Sequence, residues 1–314
     1  MNIIFFGSSN FAAPSLKALI ASSHKIHCVV TQPDRQKGRG LSIAATAVKK
    51  LAQESNLQIY QPQQINSPEA IGFLKGFAAD LFVVISYGQI LSKDILEIPK
   101  IFSINAHASL LPKYRGAAPI NWAIIKGEMT TGVTIMKIIE KMDAGQIILQ
   151  KDMEIDDKDD SLALEDKLSG VAAELLMDSL GSVENGNYKL RQQDEGEVSF
   201  APKLKKKDGC INWDKSAKDI HNLIRGCLTW PGAFTYYNNK LLKIYKAKVI
   251  RLSDYPVSPK PGEITQVSKV GITVAAGEGS LIIEELQLEG KRRMRTEEFI
   301  AGHKIQVGEI LAKK

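Results

Sequence analysis

Leu81-Phe82-Val83-Val84-Ile85-Ser86 (LFVVIS, residues 81–86) is apolar at five consecutive positions and then breaks into a polar turn. A strand wetted on one face alternates apolar with polar side chains, whereas a strand covered on both faces does not. The same unalternating run occurs at Asn2–Phe6 (NIIFF), ended by Gly7, and at Ile26–Thr31. Leu57–Tyr60 and Ile101–Asn105 are further candidate strands. Between them Pro14–Ser22, Ala44–Ser55 and Pro68–Phe77 read as helices, and another helix is expected after Gly116. Strands alternating with helices predict an α/β fold, a Rossmann-like parallel sheet with helices on both faces. Ligands of such sheets bind beyond the carboxyl ends of the strands. That places Gly7, Tyr87–Leu91 and Asn105–Pro112 where a site belongs.

Further along, Gly132–Ile139 (GVTIMKII) reads as a strand with Gln146–Leu149 as its candidate partner, and residues 161–180 as an amphipathic helix. The composition then swings from QQDEGE to PKLKKKDG. This predicts a first domain over 1–190, a linker over 191–209 and a second domain over 210–314. The last hundred residues carry short strands at roughly ten-residue spacing, which suits a small antiparallel β-barrel of the OB type. Asn238-Asn239 is a candidate hairpin turn between Ala233–Tyr237 and Leu241–Ala247. Ser216-x-x-Asp219 predicts a helix start, and Thr296 with Gly302 would bound a final helix. The intervening Gln32–Leu41 reads as an irregular loop with two glycines and three cations.

The 314 residues are 44% hydrophobic and 24% charged, ordinary globular composition with length for two cores. No run approaches the ~20 apolar residues of a membrane span, so no membrane partner is expected. The start of the chain reads directly as a strand rather than a secretory signal. Three cysteines without CxxC spacing predict neither a disulfide framework nor a zinc site, and a reducing, cytoplasmic setting follows. The net charge of +6 is unevenly spread. Residues 1–200 hold 20 Lys/Arg against 23 Asp/Glu, while residues 201–314 hold 21 against 12. A basic C-terminal third fits a polyanionic partner, or equally a solvated surface. GxGxxG, GxxxxGK[ST], HExxH and GxSxG are all absent. Dinucleotide enzymes, P-loop nucleotidases, zincins and α/β-hydrolases lose their main support.

The densest chemistry lies in Ile104–Ile120, INAHASLLPKYRGAAPI. Side chains at i and i+2 of an extended segment point the same way, so Asn105 and His107 can face one pocket. An amide donor beside an imidazole suits acyl transfer: the amide stabilises a developing oxyanion and the imidazole moves a proton. Asp143, among small neighbours in KMDAG, is the best-placed carboxylate to orient the ring. By spacing alone an NxH pair is more often structural. Metal ligation by His107 is disfavoured, because no second His or Cys lies at ligand spacing.

The run NAHASLLPKYRGAAPI, followed by MDAG, resembles the signature of the folate-dependent formyltransferases. The resemblance extends through FFGSSNFAAPSLKAL, TQPDRQKGRG, SYGQIL, GVTIMKIIEKMDAGQII, KLKKKDGCINW and WPGAF. Within that family it is greatest to the branch acting on initiator methionyl-tRNA. It implies formyl transfer from 10-formyltetrahydrofolate to the α-amino group of methionine, without a metal, by a monomer. Catalytic roles for Asn105, His107 and Asp143 follow, and a folate site comprising Tyr87, Gly88, Ile90, Ser109, Leu110, Leu111 and Pro112. Arg39 in the GRG loop would meet the tRNA acceptor stem, and Lys205, Lys206, Lys207, Arg292, Arg293 and Arg295 are candidate phosphate contacts. The loop departs from the family where LSIAATAVKK follows Arg39-Gly40, with less positive charge. Two alternatives stand beside this reading: formyl transfer to an amino sugar nucleotide, and a non-catalytic RNA-binding protein on the same scaffold.

Overall fold

The computed structural model describes residues 1–37, 42–250 and 259–312. Tertiary contacts divide the chain into two units. The first comprises 1–119, 130–154 and 165–202, and the second 120–129, 155–164 and 203–314.

The first unit is built on a seven-stranded sheet. Its strands are β1 (Asn2–Gly7), β2 (Lys25–Val30), β5 (Ile59–Tyr60), β6 (Leu81–Ile85), β7 (Phe102–His107), β8 (Thr130–Lys137) and β9 (Ile147–Glu154), in the order β5-β2-β1-β6-β7-β8-β9. Two short strands, β3 (Arg35–Lys37) and β4 (Ser42–Ala44), form a separate antiparallel pair; β3 lies inside the stretch expected to be a loop, and β4 lies just beyond it, ending at Ala44 where a helix was expected to begin. In chain order the helices up to residue 184 are α1 (Ala13–Ile20), α2 (Ala47–Glu54), α3 (Pro68–Lys75), α4 (Lys93–Leu96), α5 (Pro119–Ile125) and α6 (Ser161–Glu184). Thr46 and Ser67 cap α2 and α3 by accepting the amide N–H three residues on.

Ile4, Phe6, Cys28, Val30, Phe82 and Val84 pack in one cluster with Ala70 and Leu74 of α3 and Ile95 of α4. The intervening Ile3, Phe5, Leu81, Val83 and Ile85 are just as buried, so both sheet faces are covered, as the unalternating runs require. Each large side chain withdrawn this way contributes about 1.5–3 kcal/mol. The five strands from β5 to β7 run parallel. Beyond β7 the sheet is mixed: β7–β8 and β8–β9 pair antiparallel, so β8 alone runs against the rest. The chain direction changes between β1 and β6: β2 and β5 lie to one side of the pair, β7 to the other. The crevice beyond their carboxyl ends is where such a sheet binds ligands.

At the amino edge of the sheet, Asp80 accepts the Asn2 N–H at 2.7 Å and the Lys100 ammonium at 2.8 Å. The Asn2 N–H and then Lys100 hold its carboxyl below the ordinary range. A carboxyl depressed on folding stabilises the fold above its unfolded pKa of about 3.9, and that stability is lost as pH falls through the lower, folded value. Asp80→Asn is therefore expected to destabilise the protein by about 1 kcal/mol near neutrality. It should cost progressively less below about pH 4. Thermal unfolding midpoints measured between pH 3 and 7 check this.

The second unit holds α7 (Ala217–Gly226) and α8 (Thr296–Gly302) with an antiparallel sheet in the order β10-β11-β14-β13-β12. These strands are β10 (Ala233–Tyr237), β11 (Lys240–Ile250), β12 (Ile264–Ser268), β13 (Gly271–Ala275) and β14 (Ser280–Leu288), with β15 (Met294–Arg295) beside β14. Asn238 and Asn239 turn β10 into β11 with φ of +48° and +60°, the doubly left-handed turn that matches strand twist. Residues 309–312 bond both edges: Leu311 N–H donates to Gly262 O, and Tyr236 and Ala312 exchange N–H···O bonds. The sheet is thereby closed into a small barrel, which removes its open edges. Ser216 caps α7 through Asp219 N–H. Thr296 does not cap α8; its hydroxyl is buried and donates to Ile283 O at 2.7 Å, and Arg295 holds the cap position.

Candidate active site

β7 ends in Asn105-Ala106-His107, and the pleat turns Asn105 and His107 to the same face. Asn105 is half-buried and its amide has no hydrogen-bond partner among the described residues. His107 is buried and its Nε2 lies 2.9 Å from Tyr114 O. A carbonyl only accepts, so Nε2 carries a proton and donates. Nδ1 is then the ring atom left for chemistry, and Asp143 Oδ2 stands 3.7 Å from it. Both side chains are about nine-tenths buried, with exposures of 7% and 12%.

Asp143 sits in the tight turn after β8, at φ +50°, a left-handed conformation uncommon outside glycine. Its Oδ2 accepts Gly116 N–H at 2.8 Å. The turn leaves no room at Gly145, where an added Cβ would fall 1.7 Å from Lys137 O.

Beside this group lies a cavity of about 220 Å³. Tyr87, Gly88 and Ile90 line it together with Asn105, Met136 and Asp143. The turn that carries them begins with Ser86 and Gly88 at positive φ, and Ser8, just after β1, donates its hydroxyl to Tyr87 O. Tyr87 packs edge-on to Phe6, and burial pushes its phenol pKa up. Ile90, Ile139 and Met142 stand 68%, 42% and 57% exposed at the cavity wall. Three large apolar side chains held in water beside a polar cluster mark a surface made to be covered. Ile139 and Met142 carried no signal in the sequence, since single apolar residues in a polar turn have no period.

Ser109, Leu110, Leu111 and Pro112 do not line that cavity. Leu111 packs behind it with Met136 and Ile147. The Ser109 hydroxyl is spent on Lys113 O at 2.6 Å. Thr134, facing His107 across the β7–β8 ladder, donates to Ser109 O and accepts Leu111 N–H. The segment braces the wall next to His107.

The basic candidates lie elsewhere. Arg39 falls outside the described residues. Lys205, Lys206 and Lys207 are exposed at a short 3₁₀ turn. Arg292 pairs with Glu298, and Arg293 pairs with Glu285 while lying 4.4 Å over the Tyr245 ring. Arg295 is exposed opposite Glu285. Among the described residues no group of three or more His, Cys, Asp and Glu could hold a metal ion, and no helix is long and apolar enough to cross a membrane.

An unpaired amide, an imidazole and a carboxylate, gathered at the carboxyl edge of a Rossmann-like sheet, are the equipment of a group transferase. The chain belongs to the formyl transferase family: the Formyl transferase profile matches residues 1–180, and the profile for the family's C-terminal domain residues 203–304. Over 313 residues it is 42% identical to methionyl-tRNA formyltransferase of Acetivibrio thermocellus, covering all of both chains. Among solved structures, it resembles an N-formyltransferase from Helicobacter canadensis in complex with folinic acid and dTDP-3-aminofucose. That likeness has a TM-score of 0.67 at 20% identity, over 90% of this chain and 97% of the other. HypX from Aquifex aeolicus in complex with tetrahydrofolic acid shares the fold at TM-score 0.63 and 16% identity. The match takes in 98% of this chain, which spans about half of HypX.

Proposed function

We propose that this chain transfers the formyl group of 10-formyltetrahydrofolate to the α-amino group of methionine esterified to initiator tRNA. The observation that carries the reading is the meeting of Asn105, His107 and Asp143 beside a half-apolar cavity, in a chain whose full length aligns with methionyl-tRNA formyltransferases. The α-amine titrates at about 8, so a neutral nucleophile is accessible near neutral pH. Its nitrogen lone pair attacks the formyl carbon, a C–N bond forms, and the carbonyl electrons move onto oxygen. The free Asn105 amide donates to that oxygen. With Nε2–H committed to Tyr114 O, His107 donates to the same oxygen from Nδ1 when the ring is protonated, and the Asp143 carboxylate balances that charge. Asp143 also takes the proton shed by the attacking nitrogen, through water. Collapse breaks the bond to the folate nitrogen, which leaves as an amine by taking, through water, the proton that Asp143 received.

The cavity edged by Tyr87, Gly88 and Ile90 supports a flat folate ring against apolar side chains and exposed turn backbone. Ser109–Pro112 serves that site from behind. The catalytic domain, expected over 1–190, takes in the stretch to 202 that belongs to the first unit, and 210–314 serves as the tRNA-binding domain. Arg39, Lys205–Lys207, Arg292, Arg293 and Arg295 contribute cationic contacts to tRNA. The protein works as a cytoplasmic monomer.

The test mixes pure protein, 10-formyltetrahydrofolate and methionine-charged initiator tRNA. Formyl-methionine is the expected product, with none formed on an amino sugar nucleotide offered as competitor. Formylation of the sugar alone, or salt-sensitive tRNA binding with no product, overturns the proposal.

A further inference from the structure

The stretch 191–202 looks like a linker by composition, but 191–202 belongs to the first unit and runs beside the site. Arg191 exchanges backbone hydrogen bonds with Ile147, and Ser199 receives the N–H groups of both Tyr114 and Arg115. At its centre is Gln193, 8% exposed. Its Nε2 donates both protons to the turn bearing Asp143: to Asp143 O at 2.8 Å and to Gly145 O at 2.7 Å. Its Oε1 accepts Arg115 Nε and Nη2 at 3.0 and 2.8 Å. Arg115 is itself 3% exposed, and its Nη2 also reaches Glu195 Oε1 at 2.9 Å. Arg115, and then Lys141, hold the Glu195 carboxyl below its ordinary pKa.

A left-handed aspartate persists only when its surroundings over-determine it. Gly116 N–H pins the carboxylate, and Gln193 pins the main chain on which it is mounted. We propose that Gln193 is a positioning residue, oriented by Arg115, that holds the Asp143 turn so that Oδ2 stays beside His107 Nδ1. The inference rests on the catalytic reading of Asp143. Both amide protons of Gln193 and the guanidinium beneath it are used in one direction, toward the two carbonyls that flank the turn. A packing residue would not need that donor pair.

Two variants separate donor from shape. Gln193→Ala removes the side chain. Gln193→Glu keeps the size and strengthens the pairing with Arg115 but presents no N–H to Asp143 O and Gly145 O. Both are expected to lower kcat about 100-fold, the order of cost of a small misplacement of a catalytic group. KM for folate and for tRNA should change less than about threefold, and the pH profile of kcat should shift. In an Asp143→Asn background, Gln193→Ala should cost less than about threefold more, because both changes disable one group. If Asp143→Asn itself leaves kcat intact, the catalytic reading falls and takes this inference with it. If Asp143→Asn is inactive while both Gln193 variants keep kcat within threefold, the inference alone is overturned. An equal cost of Gln193→Ala in both backgrounds, or loss of cooperative thermal unfolding in both single variants, makes Gln193 a structural residue and also overturns it.

Discussion

Asp143→Asn is expected to lower kcat/KM for formyl transfer by about 10²- to 10⁴-fold, the range for removing a positioned acid–base group. The thermal unfolding midpoint should barely move. The amide keeps an oxygen able to accept Gly116 N–H, the bond that seats the carboxylate at 2.8 Å. What disappears is the negative charge 3.7 Å from His107 Nδ1. Two consequences follow from one substitution. A protonated ring loses the counter-charge that makes it a good donor to an oxyanion. The proton leaving the attacking amine also loses its acceptor. Single-turnover formylation separates this from slow product release. A loss smaller than about threefold would remove Asp143 from the chemistry altogether.

The parallel half of the sheet was legible because burial on two faces writes itself into sequence as an unbroken apolar run. Phe5 and Phe6, or Val83 and Val84, are adjacent, face opposite sides and are both buried. Strand direction leaves no such trace. Thr130–Lys137 is buried at six consecutive positions as β6 is at five, yet its partners lie antiparallel, so the sheet is mixed beyond β7. The pair β3–β4 was missed because Arg35–Lys37 has neither an apolar run nor an alternation. Asn238-Asn239 was readable because few residues tolerate two left-handed conformations in a row. At the site, Asn105 and His107 follow from the two-residue period of a strand. Asp143 comes from a different strand end; its small neighbours in KMDAG marked it as a candidate, and the resemblance to a family strengthened the link to the other two. Gln193 was invisible, because an amide in a polar segment looks like any solvated glutamine until its partners are known.

Asn105→Ala should lower kcat by about 10²- to 10³-fold, the cost of one missing oxyanion donor. KM for the folate substrate should change little. The two readouts part because of where the side chain sits. Asn105 contributes one edge of a cavity whose remaining wall, Tyr87 to Leu91 with Met136, Ile138 and Ile139, is untouched. Its strand pairing with Met136 is made by backbone and survives the change. Half-burial means that alanine leaves no sealed void, so the large-to-small penalty of a core site does not apply. An amide without a partner costs the folded protein something and returns nothing until an acceptor arrives, which is the arrangement expected of a donor kept ready for a charge that develops during reaction. Asn105→Asp sharpens the comparison. It matches asparagine in shape but sets a negative oxygen where the oxyanion forms, so it should be at least as inactive as alanine. Stopped-flow transfer rates with folate held at saturation give kcat directly. Retention of more than about a third of the rate in the alanine variant would mean that the reacting oxygen is held by another group.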